Sequence, residues 1–272
     1  MATFRIADKL AVITGAGSGI GAALTGALAH RGAHLALLDV DAAGLEATRQ
    51  ALKSNVRVSL HQLDVRDKDA VAGLPDAIAT AHGTAADILV NNAGVALEGE
   101  FADVPEADFD WVLDINLNAP IRLTRAFLPG LVTRPDGMIV NVSSVFGLVG
   151  PPGQAAYSTA KFGLRGFTEV LRNELEQTRV RVVQVHPGGV NTNIARNARV
   201  TSDVTPEERA EQVESFQAFL KMPPQDAAEI IAKGMERGRN RILVGGDARA
   251  IDIVQRLMPT RYWTLLSKWF SD

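Results

Sequence analysis

The most constraining feature of this sequence is a series of seven short apolar segments separated by stretches of helical periodicity. Strands without polar alternation are buried on both faces, which is typical of a parallel sheet covered by helices on each side. The pattern predicts a single doubly wound α/β domain, whose ligands bind beyond the carboxyl ends of its strands. The predicted strands are residues 10–14, 34–39, 56–64, 87–92, 137–144, 180–187 and 241–245. The predicted helices cover 19–31, the stretch up to Lys53, 67–82, 105–133 in two parts with the second beginning near Asn116, and 154–177.

Length and composition narrow the class of protein. A chain of 272 residues accommodates one α/β domain, here residues 1–245, with 246–272 as a helical extension of the same domain. A net charge of −3 gives no basic surface for nucleic acid, so no nucleic-acid partner is expected. The lack of cysteine excludes disulfides, thiolate catalysis and cysteine-based metal sites, and we expect no metal. Neither a signal peptide nor an apolar run of ~20 residues is recognisable, which predicts a cytoplasmic protein.

Two regions fall outside the repeat of strands and helices. Residues 190–225 form an insertion with a predicted helix at 206–220, and an insertion at the ligand-binding edge is typical of a lid. Residues 246–272 end in an apolar face formed by Trp263, Leu265, Leu266, Trp269 and Phe270. Such a face can pack on the lid or on another subunit, or lie on a membrane surface, and packing is the favoured interpretation.

A glycine-rich turn, TGAGSGIG at residues 14–21, joins the first strand to the first helix. Gly15 permits the tight turn, and Gly19 and Gly21 allow backbone to approach a pyrophosphate and the helix to pack on the strand. The helix N-terminus then offers free N–H groups and a positive dipole end to the anion. The turn therefore predicts a dinucleotide site at this point of the sheet.

Asp39 closes the second strand about 20 residues after the glycine turn. A carboxylate at this place can accept both ribose hydroxyls of an adenosine, and it would repel a 2′-phosphate. The next residue is Val40 and the residue before Gly19 is Ser18, so neither supplies an arginine for that phosphate. Asp39 therefore favours NAD(H) over NADP(H). The alternative is that Asp39 caps the following helix, although Asp41 is available for that role.

Tyr157 and Lys161 stand four residues apart in a predicted helix, which places a phenol and an ammonium on one face, one turn apart. A free tyrosine has a pKa near ~10, and bringing it close to neutrality takes roughly 3–4 kcal/mol of preferential phenolate stabilisation. A close, partly buried lysine cation can supply that stabilisation, whereas a solvated one cannot. The pair predicts a proton-transfer site if the helix face is buried.

With these motifs in place, the chain resembles the short-chain dehydrogenase/reductase family over residues 8–245. The resemblance rests on the glycine turn, the sequence NNAG at 91–94, the tyrosine–lysine pair, and a serine, Ser144, thirteen residues before Tyr157. It extends to Asp64 after the third strand, Asn116 in DINLNAP, and the loop with Pro187, Gly188 and Thr192. It implies a Rossmann-type fold and a nicotinamide cofactor.

The resemblance also implies the role of each site residue. Ser144 is expected to donate a hydrogen bond to the substrate oxygen, and Tyr157 to exchange a proton with it. Lys161 is expected to lower the tyrosine pKa and hold the cofactor ribose, and Asn116 to position a water that links the lysine to solvent. His186, Asn141 and Ser143 are interpreted as structural. The expected cofactor contacts are Gly15, Ser18, Gly19, Ile20, Gly21, Asp39, Asp64, Val65, Asn92, Ala93, Gly94, Tyr157, Lys161, Pro187, Gly188, Val190 and Thr192.

The substrate region is less strongly indicated. Arg196 and Arg199 could bind an anionic group, but solvated positions are favoured for both. The mainly apolar composition of the predicted pocket walls favours an apolar or bulky secondary alcohol or ketone. The expected substrate contacts are Ser144, Val145, Leu148, Gln154, Tyr157, Gly188 and Ile194.

We therefore expect an NAD-dependent alcohol dehydrogenase or ketoreductase. Two alternatives stay open: a 3-oxoacyl-thioester reductase, which usually uses NADPH, and a redox-silent nucleotide sensor. Asp39 argues against the first, and the presence of Ser144, Tyr157 and Lys161 argues against the second. Family members commonly associate through the two long helical regions and through the last helix and strand, so we expect a homo-oligomer, with a tetramer favoured over a dimer.

Overall fold

The computed structural model describes residues 3–194, 197–200 and 220–271. Its main feature is a seven-stranded sheet with the strand order β3-β2-β1-β4-β6-β7-β9, in which every neighbouring pair is parallel. The predicted parallel α/β sheet is confirmed. The strands of this sheet are β1 (Leu10–Thr14), β2 (His34–Asp39), β3 (Val58–Gln62), β4 (Ile88–Asn91), β6 (Gly137–Val142), β7 (Val180–Pro187) and β9 (Arg241–Val244).

A second sheet was not predicted. It consists of β5 (Leu97–Glu98) and β8 (Arg199–Val200), which pair in parallel at the base of the insertion after β7. Two-residue strands have no periodicity that a sequence could show, so only the tertiary pairing reveals them. The helix predicted at 206–220 lies outside the described residues.

Helices cover both faces of the main sheet. One core cluster joins the sheet to α1, α2 and α7, and a second joins it to α3, α5 and α6. Asp41 caps α2 by accepting the N–H of Ala43, and Asp67 caps α3 by accepting the N–H groups of Asp69 and Ala70. The helices are α1 (Gly19–His30), α2 (Ala42–Ala51), α3 (Lys68–His82), α4 (Glu106–Leu113), α5 (Ala119–Leu131), α6 (Ala155–Glu174), α7 (Pro224–Glu236), α8 (Gly246–Leu257) and α9 (Tyr262–Ser271).

The helical region 105–133 continues without a new N-terminus at Asn116, contrary to the prediction. A π-helical turn, Asp114–Asn118, connects α4 to α5, and the N–H of Ala119 bonds to the carbonyl of Asp114. The physical reason is Pro120, which has no N–H to donate to the Asn116 carbonyl as an α-helix would require. Such turns widen a helix locally and often occur at functional sites.

The C-terminal extension folds back onto its own chain. Leu266 of α9 is 1% exposed and packs with Ile251 of α8 and with Val145 and Phe146 in the segment after β6. The Tyr262 hydroxyl accepts the N–H of Gly150 at 3.1 Å. Part of the apolar face is therefore covered within the subunit. Across the described residues, no helix combines the length and apolar character needed to cross a membrane.

Candidate active site

A cleft of about 530 Å³ opens at the carboxyl ends of β1, β4, β6 and β7. It begins where β1 and β4 lie side by side, although the chain passes through β2 and β3 between them. This is the switch point at which ligands bind in doubly wound sheets. The predicted location of the ligand site therefore coincides with this cleft.

The glycine turn forms one end of the cleft. Gly15 has a φ of +66°, and a Cβ on it would lie 2.9 Å from the Cα of Ala93. A Cβ on Gly21 would lie 2.0 Å from the carbonyl oxygen of Gly15, so helix α1 can approach the turn only with glycine there. The first N–H groups of α1 have no side-chain cap from Ser18, which leaves an anion site at the helix N-terminus.

The sequence NNAG at 91–94 holds the glycine turn in position. The Thr14 hydroxyl oxygen accepts the N–H groups of Asn92 and Ala93, each at 3.0 Å. In return, the side-chain amide of Asn92 donates to the carbonyl of Thr14 at 3.0 Å. These bonds fix the loop after β4 against the end of β1, so both loops face the cleft as one unit.

Asp39 lies at the edge of the cleft, with its carboxylate partly occupied by backbone. One oxygen accepts the N–H of Gly17 at 2.8 Å and the other accepts the N–H of Asp41 at 3.0 Å. The cap of α2 is Asp41. Asp39 thus does not have the helix-capping role considered as its alternative, and its carboxylate lies at the cleft wall beside the glycine turn.

Asp64 and Val65 lie beside Asp39 in the cleft wall, together with Arg66, which sequence analysis did not single out. The guanidinium of Arg66 donates hydrogen bonds to both carboxylate oxygens of Asp64, with Nη2 of Arg66 2.6 Å from Oδ2 of Asp64. This bidentate pair lowers the pKa of the Asp64 carboxyl. Its only sequence signal is an arginine two residues after the aspartate, which is too common to be informative.

Tyr157 and Lys161 stand on the face of α6 that borders the cleft. The ammonium of Lys161 is buried, donates to the carbonyl of Val142 at 3.1 Å and lies 5.5 Å from the centre of the Tyr157 ring. Ser144 follows β6, and its hydroxyl oxygen accepts the N–H of Phe146 at 3.1 Å. The side chains of Ser144 and Tyr157 are hydrogen-bonded to each other. The three residues therefore form one cluster.

Burial dominates the pKa of both ionisable groups in this cluster. It raises the pKa of Tyr157 to about 12, and the hydrogen bond with Ser144 opposes this only in part. Burial also lowers the pKa of Lys161 to about 8, because the ammonium has lost its water. The ammonium of Lys161 bonds to the carbonyl of Val142, and burial of the phenol sets the direction of the Tyr157 pKa in the protein alone. The expected lowering of the tyrosine pKa by Lys161 stays a prediction.

Asn116 lies in the π-helical turn, and its side-chain amide is bound to backbone. Its oxygen accepts the N–H of Val95 at 3.0 Å, and its nitrogen donates to the carbonyl of Val95 at 2.8 Å. A Cβ on Gly94 would lie 2.8 Å from this oxygen and 3.6 Å from the Lys161 nitrogen, so only glycine fits between them. The amide of Asn116 thus holds the loop after β4 next to Lys161.

Three buried polar residues form hydrogen bonds that hold the elements carrying Ser144, Tyr157 and Lys161 in place. Nδ1 of His186 lies 2.8 Å from the carbonyl oxygen of Ser144, and burial lowers the pKa of His186 to about 4, so the neutral ring donates this bond. The Ser143 hydroxyl donates to the carbonyl of Lys161 at 3.1 Å. Asn141 accepts from Asn91 at 2.8 Å and donates to Thr168 at 2.9 Å, which links β4, β6 and α6.

The loop after β7 forms the opposite wall of the cleft. Pro187, Gly188, Val190 and Thr192 all line it. A Cβ on Gly19 would touch the Thr192 side chain at 3.2 Å, so this loop reaches across to the glycine turn. Among the expected cofactor contacts, those that line the cleft are Gly15, Ser18, Gly19, Ile20, Asp39, Asp64, Val65, Asn92, Ala93, Gly94, Tyr157, Lys161, Pro187, Gly188, Val190 and Thr192. Gly21 lies beneath the turn instead.

The substrate side differs from the expectation in part. Gln154, Tyr157, Gly188 and Ile194 line the cleft as expected. Ser144, Val145 and Leu148 are not among the residues that line the cleft: all three are buried, although Ser144 interacts with Tyr157, which does line it. Val145 packs against α8 and α9 because the turn Val145–Gly147 directs it away from the cleft. Phe146 takes the cleft position in this turn. The cleft wall also includes Leu220, from the predicted lid, and three residues that sequence analysis missed: Ala96, Glu98 and Trp111.

Arg199 is engaged by protein groups. Its guanidinium stacks 3.7 Å from the centre of the Trp111 ring and donates to Asp108. Its N–H bonds to the carbonyl of Ala96 at 3.0 Å. The guanidinium thus anchors β8 to α4 while its side chain stays 47% exposed, in keeping with the solvated position that was favoured. Arg196 lies outside the described residues. Within the described ranges, no group of three or more histidine, aspartate or glutamate residues could hold a metal ion.

The doubly wound sheet with its glycine turn is the architecture of dinucleotide-binding enzymes. A family model described as short chain dehydrogenase matches residues 9–203, and the chain belongs to the short-chain dehydrogenase family. The resemblance seen in the sequence motifs is thereby confirmed. SadH of Mycobacterium tuberculosis, whose name classes it as an oxidoreductase, is 42% identical over 263 residues, covering 95% of this chain and 94% of that protein.

Solved structures agree with this assignment. A short-chain dehydrogenase/reductase from Burkholderia phymatum in complex with NAD has a TM-score of 0.83 and 29% identity, covering 93% of this chain and 95% of that chain. A short-chain dehydrogenase from Mycobacterium paratuberculosis bound to NAD has a TM-score of 0.76 and 25% identity, covering 91% and 100%. The protein is therefore an oxidoreductase of this family with a Rossmann-like fold.

Proposed function

We propose that the protein is an NAD-dependent oxidoreductase that interconverts a secondary alcohol and a ketone. The observation that carries this proposal is the cluster of Ser144, Tyr157 and Lys161, in which a phenol hydrogen-bonded to a serine stands one turn from a buried ammonium beside the glycine turn. Such a cluster can exchange one proton with a substrate oxygen and stabilise charge on that oxygen.

The cleft fits a dinucleotide. The pyrophosphate would lie against Gly15, Gly19 and the N-terminus of α1. A Cβ on either glycine would come into close contact with the neighbouring loops. The adenosine ribose would lie at Asp39, and the nicotinamide half between Tyr157 and the loop after β7. When bound, a nicotinamide dinucleotide supplies or accepts the hydride, and the protein contributes orientation and electrostatics.

The protein's own residues handle the proton. With a pKa raised by burial to about 12, Tyr157 is protonated at neutral pH and can donate to the oxygen of a ketone. Ser144 is placed to share that oxygen through its bond with Tyr157. Lys161, with a pKa near 8, carries most of its charge at pH 7 and favours the phenolate that remains after donation.

Two charges at the adenosine end support NAD(H) over NADP(H). Asp39 and Asp64 both line this end, and the arginine between their loops, Arg66, is already paired with Asp64. A 2′-phosphate would face the Asp39 carboxylate without a free guanidinium among the described residues of the wall. The competing thioester reductase interpretation, which favours NADPH, gains no support from this arrangement.

The test compares the two tyrosines of the chain, Tyr157 and Tyr262. A panel of ketones and acetoacetyl-CoA is assayed with NADH and NADPH by the loss of nicotinamide absorbance. Tyr157→Phe should reduce kcat by about 10²–10⁴-fold with a cofactor dissociation constant within a few-fold of wild type, because only the proton is lost. Tyr262→Phe, the same chemical change outside the cleft, should keep most of the kcat. If Tyr157→Phe retains more than about a tenth of the wild-type kcat, Tyr157 is not the proton donor.

A further inference from the structure

One carboxylate in the cleft has no role in the proposed reaction. Glu98 is the second residue of β5, and side chains of a strand alternate between its two faces. Leu97 is 2% exposed and packs with Ala156 and Tyr157 of α6, while Glu98 lines the cleft. The strand therefore brings the carboxylate to the same end of the cleft as the reacting phenol.

The backbone around Glu98 is firmly held. Glu98 pairs with Val200 of β8, Gly99 is bridged to Gln154, and the N–H of Gly99 donates to the carbonyl of Gly153 at 3.1 Å. Arg199 fixes the neighbouring strand through Trp111. A side chain mounted on such a fixed element keeps its place in the cleft, which is a requirement for selecting a ligand.

The surroundings of Glu98 offer little to satisfy a carboxylate. The cleft that Glu98 lines is otherwise formed at its substrate side by apolar residues such as Trp111, Ile194 and Leu220 and by neutral amides such as Gln154 and Asn197. Within the described part of the chain, no hydrogen bond or ion pair is made by the Glu98 carboxyl. Burial raises the pKa of the Glu98 carboxyl because the charged form has lost water. A half-buried carboxyl without a partner is unfavourable unless a ligand supplies one.

We propose that Glu98 determines substrate specificity at the end of the substrate remote from the reacting carbon. It selects substrates that carry a hydrogen-bond donor at that end, either a hydroxyl or an ammonium group. It rejects substrates that carry a carboxylate at that end. This inference rests on the proposed alcohol–ketone chemistry and names its substrate class. It differs from the expectation of an apolar or bulky substrate by adding a polar group at one end. Of the residues named for this part of the cleft, Glu98 alone carries a charge, so its carboxylate is the element that discriminates.

Three ketones that differ in one group provide the probes: 4-phenyl-2-butanone, 4-(4-hydroxyphenyl)-2-butanone and 4-(4-carboxyphenyl)-2-butanone. Steady-state kcat/KM with NADH is measured for each, together with the dissociation constant of each from the enzyme–NADH complex. The variants are Glu98→Gln, which keeps the size and removes the charge, and Glu98→Leu, which removes the polar group. Glu100→Gln, at an exposed position two residues further along, is the matched control.

We expect the wild-type protein to prefer the hydroxyphenyl over the phenyl ketone by about tenfold, and to disfavour the carboxyphenyl ketone by at least as much. Glu98→Leu should abolish the preference for the hydroxyphenyl over the phenyl ketone. Glu98→Gln should raise kcat/KM for the carboxyphenyl ketone about tenfold. Glu100→Gln should leave both the preference and this kcat/KM unchanged. The inference would be overturned if the kcat/KM ratios between the three ketones agree within twofold between wild type and both Glu98 variants. It would also be overturned if none of the three ketones binds. The proposed function fails separately, if no ketone in the wider panel is reduced.

Discussion

The clearest test of the C-terminal extension compares two neighbouring leucines of α9. Leu266 is 1% exposed and packs against Val145, Phe146 and Ile251, whereas Leu265 is 45% exposed. Leu266→Ala and Leu265→Ala remove the same atoms from the same helix turn and carry the same change in helix propensity. Any difference between them therefore reports the packing of α9 against the segment after β6.

The expected magnitude follows from burial. Replacing a fully buried leucine by alanine costs about 2–5 kcal/mol, and the lower half of that range applies here because a helix near the chain end can relax into the cavity. Leu265→Ala should cost less than about 0.5 kcal/mol. For a chain of this size, ~2 kcal/mol corresponds to a fall in Tm of roughly 3–4 °C. The buried substitution also loosens Phe146, which lines the cleft, so KM for a ketone should rise while cofactor affinity stays unchanged.

The assay is urea denaturation of both variants, with KM and light-scattering mass measured in parallel. The mass measurement matters because Leu265 would behave as buried if it lay in a subunit interface. If the two variants lose equal stability at unchanged mass, or if Leu266→Ala leaves both the free energy of unfolding and KM at wild-type values, then α9 does not stabilise the cleft.

Four further outcomes are expected. Asp39→Ala combined with Val40→Arg should shift the preference toward NADPH by removing repulsion and adding a phosphate partner, and equal wild-type efficiency with NADPH would contradict the assignment. Lys161→Ala should weaken cofactor binding and lower kcat, as measured by cofactor titration and by turnover. If only cofactor affinity or only kcat falls, Lys161 does not have both proposed roles. Phe162, 40% exposed on α6, is proposed as part of a subunit contact, so Phe162→Glu should reduce the mass seen by light scattering; an unchanged mass would place the interface elsewhere. Since burial raises the pKa of Tyr157, alcohol oxidation should accelerate between pH 7 and 9 while ketone reduction stays nearly constant, and a flat oxidation profile would show that another group accepts the proton.

The main sheet and the cofactor side of the site could be predicted from the sequence because their signals are local. Buried parallel strands show as unbroken apolar runs, and the turn at Gly15 requires a residue that tolerates a φ of +66°. Asp39 follows from its position at the end of the second strand. In each case the residue type and its immediate neighbours determine the structure.

The substrate side could not be predicted in the same way because it is built from distant pieces. Strand β5 meets β8 about 100 residues later, and only this pairing places Glu98 in the cleft and gives Arg199 a partner. The direction of Val145 depends on the turn Val145–Gly147 and on Leu266, more than a hundred residues away. Apolar character alone predicted that Val145 and Leu148 lie near the site, but it could not decide which of their neighbours faces the substrate.

The proton site shows how the same residues acquire a different chemistry once they are folded. One helical turn suffices to predict that Tyr157 and Lys161 meet, but the spacing contains no information on solvent. In the folded chain both groups are desolvated, and desolvation acts against charge on each of them, which raises one pKa to about 12 and lowers the other to about 8. The protein alone is thus set to donate a proton. If the proposed function holds, alcohol oxidation needs additional positive charge beside the phenol, because burial alone disfavours the phenolate that must accept the proton.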